Sequence, residues 1–145
     1  METRILGLSA VRRAQLNRIV GVIFRGSFWL DGLITYTAGI KDKNYVAGLA
    51  STMRGSKQYS QIHAVVFSRE NILPNGVKDF DRLAGEIDIP ILVLRRLRLR
   101  NRRSTSIWSP NKDPATVHEL FSIGCAAEMS TPEAVRVADL IANQL

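Results

Sequence analysis

The sequence predicts an α/β fold in which helices pack on a mixed sheet, and three observations carry that expectation. Short apolar runs rich in β-branched residues, IVGVIFR (19–25), QIHAVVF (61–67) and ILVL (91–94), read as buried strands. Between them, DKNYVAGLASTMRG (42–55) and VKDFDRLAGEI (77–87) change to the three-and-four spacing of helix faces. The Gly26-Ser27 pair joins two adjacent strand-like runs, so an antiparallel hairpin precedes helix-linked crossovers.

TRILGLS (3–9) reads as a first buried strand, and AVRRAQLNR (10–18) as a polar loop. FWLDGLITYT (28–37) is the return strand of the 19–25 hairpin, with Phe28 and Trp29 expected in the packed core. In the 42–55 helix, Val46, Leu49, Ala50 and Met53 form one face, Asp42 or Asn44 caps the start, and Gly55 ends it. SRENILPNG (68–76) is a loop broken by Pro74 and Asn75-Gly76. In the 77–87 helix, Val77, Phe80, Leu83 and Ala84 are expected inward. After Pro90, ILVLRRLRL (91–99) is a strand that begins buried and ends basic; 101–116 reads as a polar loop and VHELFSIGCA (117–126) as another strand. Ser130-Thr131-Pro132-Glu133 opens a last helix, Pro132 at its first position, with Ala134, Val137, Ala138, Ile141 and Leu145 as its apolar stripe.

With 145 residues, 46% hydrophobic and 23% charged, the chain matches one domain spanning 1–145 with its own core. That composition excludes a disordered acidic tail, a collagen repeat and a coiled-coil rod. A single cysteine, Cys125, forms no internal disulfide, no apolar run approaches ~18 residues, and METRILGLSAVRR lacks the apolar centre of a signal peptide. The expectation is a cytoplasmic protein with no membrane association.

The charge points toward function. Twenty Lys+Arg against thirteen Asp+Glu give +7, and fifteen of the cations are Arg, which bonds phosphate bidentately and stacks on bases. Six lie in one run: Arg95, Arg96, Arg98, Arg100, Arg102 and Arg103. In a strand, Arg96, Arg98 and Arg100 share one face and Leu97 and Leu99 the other, giving a basic ribbon with an apolar back. Edge protection needs only one or two charges, so a phosphate or acidic-partner contact is the preferred reading. Arg12, Arg13 and Arg18 add to it if their segment lies alongside. Trp108 follows the basic run and is a candidate for stacking on an unpaired base, or else a loop anchor folded onto its own domain.

Other chemistry finds less support. His63 and His118 each stand alone in apolar, strand-like runs, and no Cys/His spacing suggests zinc. Cys125 reads as core, with neither base nor helix N-terminus to activate it. No P-loop or GxGxxG is present, so no nucleotide cofactor is expected.

The element order is that of the ribonuclease H-like fold. VGVIFRGSFWLDGLI, MRGSKQY followed by QIHAVVF, and IDIPILVLRR, with the terminal STPEAVRVADLI, resemble in serial order a mainly archaeal, uncharacterised domain family related to endonuclease V. That resemblance covers residues 3–100 and the last helix, and it implies a single endonuclease V-like domain. The last helix also resembles an earlier helix of the family, because 101–130 reads as shortened.

Nucleases of this kind gather carboxylates around Mg²⁺, which activates water and stabilises the leaving oxygen. The resemblance places acids after the first strand, before the first helix and at the end of the central strand. Here Ser9, Lys41 with Asn44, and Ser68 with Arg69 stand there instead. Asp42 is displaced by one position, Asp31 reads as a turn or bulge device, Glu70 lies beyond the ligand position, and Asp79 suits a helix first turn. The resulting expectation is a non-catalytic nucleic-acid-binding protein without metal or other cofactor. Its candidate contacts are Arg12, Arg13, Lys41, Arg69, the 95–103 arginines and Trp108. The alternatives are a protein–protein interaction subunit or homodimer, in which the ribbon docks on an acidic partner, and a divergent metal-dependent nuclease rebuilt on displaced acids.

Overall fold

A computed structural model describes residues 3–26, 29–99, 102–124 and 132–145. The chain runs β1 (Arg4–Arg13), β2 (Leu16–Arg25), β3 (Trp29–Gly39), α1 (Tyr45–Arg54), β4 (Ile62–Phe67), α2 (Val77–Glu86), β5 (Ile91–Leu99), β6 (Arg102–Trp108), α3 (Pro114–Gly124) and α4 (Glu133–Ala142). Six strands form one sheet in the order β3-β2-β1-β4-β5-β6. β1 and β4 are parallel, as are β4 and β5, while the outer pairings are antiparallel. This is the mixed sheet the sequence predicts.

The central strands are apolar throughout because both faces are covered. Leu6 and Leu8 of β1, Val65 and Phe67 of β4, and Ile91 and Val93 of β5 share one core with α1 and α2. Their alternates, Ile5, Ala64, Val66, Leu92 and Leu94, share a second core with α3 and α4. On the α4 side the backbone comes so near β1 that a Cβ on Gly7 would lie 2.3 Å from the Ala134 carbonyl carbon.

A polar tie holds the first hairpin to the helical layer. Asn17, buried in β2, donates to the Tyr45 hydroxyl (2.6 Å) and to the Ile72 carbonyl (2.8 Å). Burial pushes the Tyr45 phenol up to about 12, against the opposing effect of the Asn17 bond.

Several expectations are corrected. Residues 10–18 are not a loop: β1 and β2 continue to a two-residue turn at Ala14-Gln15, with Arg13 opposite Leu16. No Gly or Asn marks that turn; Ala14 itself takes φ +54°. Residues 101–116 hold β6 and the start of α3. Residues 117–124 are helix rather than strand, because the Asp113 side chain caps the N–H and hydroxyl of Thr116 and Pro114 opens the first turn. His118 therefore sits exposed on a helix, and His63 is exposed on β4. Cys125 and Phe28 lie outside the described residues. Trp29 is not core: it is 63% exposed on the edge strand β3, with Leu30 and Leu33 also exposed. Val77 is exposed, and Asp79 is buried instead, accepting from the Asn75 backbone N–H (2.8 Å). Pro132 is the N-cap of α4 rather than its first residue, and Val135 joins the buried face.

Gly7→Ala is expected to unseat α4 and to lower the midpoint of thermal unfolding by several degrees or to prevent folding, since the clash is with backbone that cannot turn aside. Tyr45 titrates higher folded than unfolded, so its contribution is fully present below pH ~10 and is lost as pH rises through about 12. Urea unfolding at pH 9 and pH 11.5 should show wild-type stability falling by roughly 2 kcal/mol, and Tyr45→Phe should flatten much of that slope.

Candidate nucleic-acid interface

The parallel strands define one end of the sheet. β4 stops at Phe67, whose partners are Leu8 of β1 and Val93 of β5. Both neighbours run on in the same direction, β1 from Ser9 to Arg13 with β2 at its side, and β5 from Leu94 to Leu99 with β6 at its side. Two hairpin arms thus project past the short central strand, each by roughly 15–20 Å at about 3.3 Å per residue. Open α/β sheets bind ligands at such carboxyl ends.

Ser68 floors the gap, its N–H extending the ladder to the Leu8 carbonyl (2.9 Å). The next two residues reach to opposite arms. Arg69 donates to the Ala10 carbonyl in the β1 arm, and Glu70 accepts from Arg95 at the root of the β5 arm. Ser9, buried in β1, donates to Asp139 of α4. A cavity of about 520 Å³ opens here, lined by Ser68, Arg69, Glu70, Arg95, Asp139 and Asn143 among others. Among the described residues the buried Ser68 hydroxyl has no hydrogen-bond partner.

Trp108 ends β6 and anchors the second arm. Its ring packs edge-on to Phe80 (5.4 Å between centroids), which packs edge-on to Phe67 (4.9 Å), and Arg95 lies 5.0 Å over the Trp108 ring. The indole is thus half-buried against the core, the loop-anchor arrangement rather than an open stacking platform.

The structure brings Ser9, Ser68, Arg69, Glu70, Arg95 and Asp139 together at one sheet end. Arg12 and Arg13 are exposed at the tip of the β1 arm, and Arg18 is exposed on β2 opposite Val11. Arg96, Arg98, Arg102 and Arg103 occupy the β5 and β6 backbone of the second arm, and Arg100 lies outside the described residues. Lys41 and Asn44 are exposed in the turn before α1 and are not among the residues that line the cavity. Asp42 there accepts from the Asn44 N–H (2.8 Å). Asp31 is the bulged residue of β3, since Ile23 pairs Gly32 and Phe24 pairs Leu30, and it bonds Arg4 (2.7 Å). Asp139 is the site residue that sequence reasoning missed. Its helix is recognisable, but nothing in VRVADLI says that the helix crosses Gly7 and sets this carboxylate beside Ser9.

A divalent metal of the kind such nucleases use does not fit these residues. Two of the convergent positions are serines, Asp139 is engaged by Ser9, Glu70 by Arg95, and the Arg69 guanidinium lies at the same cavity. Among the described residues no three His, Cys, Asp or Glu side chains are grouped to hold a metal ion. No helix among them is long and apolar enough to cross a membrane.

This architecture is that of the endonuclease V fold. Endonuclease V of Ciona intestinalis, solved in complex with a 24mer DNA containing an inosine followed by a ribo-adenosine, superposes with a TM-score of 0.69 over 99% of this chain and 85% of that one, at 6% identity. A protein of unknown function from Archaeoglobus fulgidus superposes with a TM-score of 0.82 over 99% and 98% of the two chains, at 21% identity. No family model matches the sequence. Its sequence relatives are archaeal UPF0215 proteins: the one from Methanosarcina barkeri is 32% identical over 98 residues, 66% of this chain and 50% of that protein. The chain spans about half the length of the curated relatives it matches.

If the serines are what denies this site a metal, restoring acids should create one. The Ser9→Asp/Ser68→Asp variant, with Asp139 in place, should gain a Mn²⁺-dependent rise in unfolding temperature of a few degrees, absent from wild type and reversed by Asp139→Asn.

Proposed function

We propose that this chain is a nucleic-acid-binding domain that does not cleave its ligand. The observation that carries the reading is the sheet end itself: two arms bearing arginines flank a floor where Ser9 and Ser68 stand at the convergence of the strands. Cleavage of a phosphodiester on this fold needs carboxylates that gather metal ions to activate water and to stabilise the leaving oxygen. Asp139, bonded by Ser9, and Glu70, paired with Arg95, are already engaged and are too few to gather them. Binding needs only cations placed to meet phosphate, and Arg12 and Arg13 on one arm and the 95–103 run on the other supply them. The DNA complex of the Ciona endonuclease V supports the reading, because there the same fold accommodates nucleic acid. The net charge of +7 supports it through steering.

Fluorescence anisotropy with labelled DNA and RNA should show binding that weakens about a thousandfold between 50 and 200 mM salt, as for some six neutralised phosphates. Incubation of inosine-containing strands with Mg²⁺ or Mn²⁺ should yield no product. Absence of binding at low salt refutes the proposal, as does turnover that is lost in Asp139→Asn.

A further inference from the structure

We propose that the free edge of β3 is a homodimer interface, on which β3 of a second copy adds antiparallel and continues the sheet. β3 runs eleven residues, Trp29–Gly39, at one end of the strand order, and among the described residues no strand pairs with its outer edge. Long edge strands are ordinarily guarded by lysine, proline or an inward-pointing charge. Residues 32–39, GLITYTAG, hold neither charge nor proline, in a chain of net charge +7. The bulge at Asp31, whose carbonyl accepts from Gln58 (3.2 Å), limits the open stretch to the part that follows it. The interface is independent of the nucleic-acid reading, because it shares no residue with the arms or the floor.

The ladder with β2 shows which backbone groups are free. The Ile40 N–H donates to the Gln15 carbonyl (2.9 Å), so the facing residues Gly39 and Leu16 form a non-hydrogen-bonded pair. The bonded pairs then alternate along β3 as Ala38, Tyr36, Ile34 and Gly32. Leu33, Thr35, Thr37 and Gly39 therefore turn their N–H and C=O groups outward, to the open edge. The Gly39 carbonyl also accepts from the Asp42 N–H (3.0 Å) and keeps a second lone pair.

A two-fold axis perpendicular to the sheet at Tyr36 pairs all four of these residues: Leu33 with Gly39 and Thr35 with Thr37 of the second copy, and the reverse. Moving the axis by one residue along the strand drops one of them onto the Asp31 bulge or into the turn after Gly39. The side chains match in the same register. Leu33 and Thr35 face Val22 and Val20 across the ladder with β2, so they lie on the α4 side of the sheet, and both are exposed. Leu33 meets Gly39 of the second copy, where even a Cβ would find nothing nearer than 3.8 Å. Thr35 meets Thr37, a favourable cross-strand pair. On the α1 side Ile34 meets Ala38 and Tyr36 meets its own counterpart, residues already packed against the first core. Asp31 falls level with Lys41 of the second copy, so the ends of the interface are complementary in charge while its middle is neutral. An isologous contact requires this self-complementarity, and it selects a second copy over an unrelated strand.

Sedimentation equilibrium of the full chain, before and after nuclease treatment, tests the interface in about 0.5 M NaCl, which screens exposed ion pairs. Wild type should give twice the chain's mass under both conditions. Thr35→Pro removes an outward N–H that β2 does not use, and Thr35→Lys/Thr37→Lys sets like charges opposite one another across the paired edges. Both variants should fold, as read by circular dichroism, and should dissociate at least about tenfold more readily than wild type. Leu140→Lys, which charges an exposed leucine on α4, should leave the dimer intact. Oxidation of Thr35→Cys mixed with Thr37→Cys should cross-link faster than either variant alone, with the linked peptides identified by mass spectrometry. Faster cross-linking of Thr35→Cys with itself overturns the register. A monomeric wild type, a dimer that disappears on nuclease treatment, or a dimer that both edge variants spare overturns the interface itself.

Discussion

The contact on which the functional end depends is the seating of α4 over Gly7. Only a residue without a side chain lets the Ala134-Val135 backbone approach β1 so closely. That approach closes the second core and sets Asp139 of α4 beside Ser9. The carboxylate at the floor is thus a consequence of packing farther back along the same strand. β1 therefore carries both the tightest packing against a helix backbone and the base of the candidate site.

Charge in the gap is arranged in local pairs rather than as a single field. Glu70 with Arg95, and Asp139 with Ser9, bring each acid a partner at the root of the arms. Arg69 commits its guanidinium to the Ala10 carbonyl, so it braces the β1 arm as much as it charges the floor. Farther out, Arg12 and Arg13 are exposed on the β1 arm. A ligand approaching along that arm meets these cations first and the hydrogen-bonding floor last. Such an order suits a polyanion held across the arms better than a small anion drawn to the bottom.

Sequence reasoning reads best where one physical signal dominates. The continuous apolar runs at 19–25, 61–67 and 91–94 are strands because strands in the middle of this sheet are buried on both faces, and nothing competes with that pattern. The arms are hidden for the opposite reason. Arg12, Arg13 and residues 102–106 of β6 are polar, and a polar hairpin carries no hydrophobic alternation to distinguish it from a loop. The Ala14-Gln15 turn adds no Gly to mark it. At α3 the short apolar stretch satisfies either period, and the deciding signal is the Asp113-Pro114 cap. Trp29 misleads in a simpler way: aromatic content suggests core, but β3 is an edge strand on which Trp29, Leu30 and Leu33 are exposed.

On the proposed reading, the serines at the sheet end suit a floor that meets a ligand without cutting it. A carboxylate buried at Ser9 or Ser68 without a cation would carry a desolvation cost that a hydroxyl does not. Without a cation to offset that cost, small neutral residues are the least costly occupants of these positions, and the Arg69 guanidinium lies at the same cavity. The unpartnered Ser68 hydroxyl remains as a buried polar group at the floor that a ligand can satisfy. In the proposed reading, cations on the arms and a hydrogen bond at the floor would meet one ligand from two directions, with the distance between them set by where β4 ends.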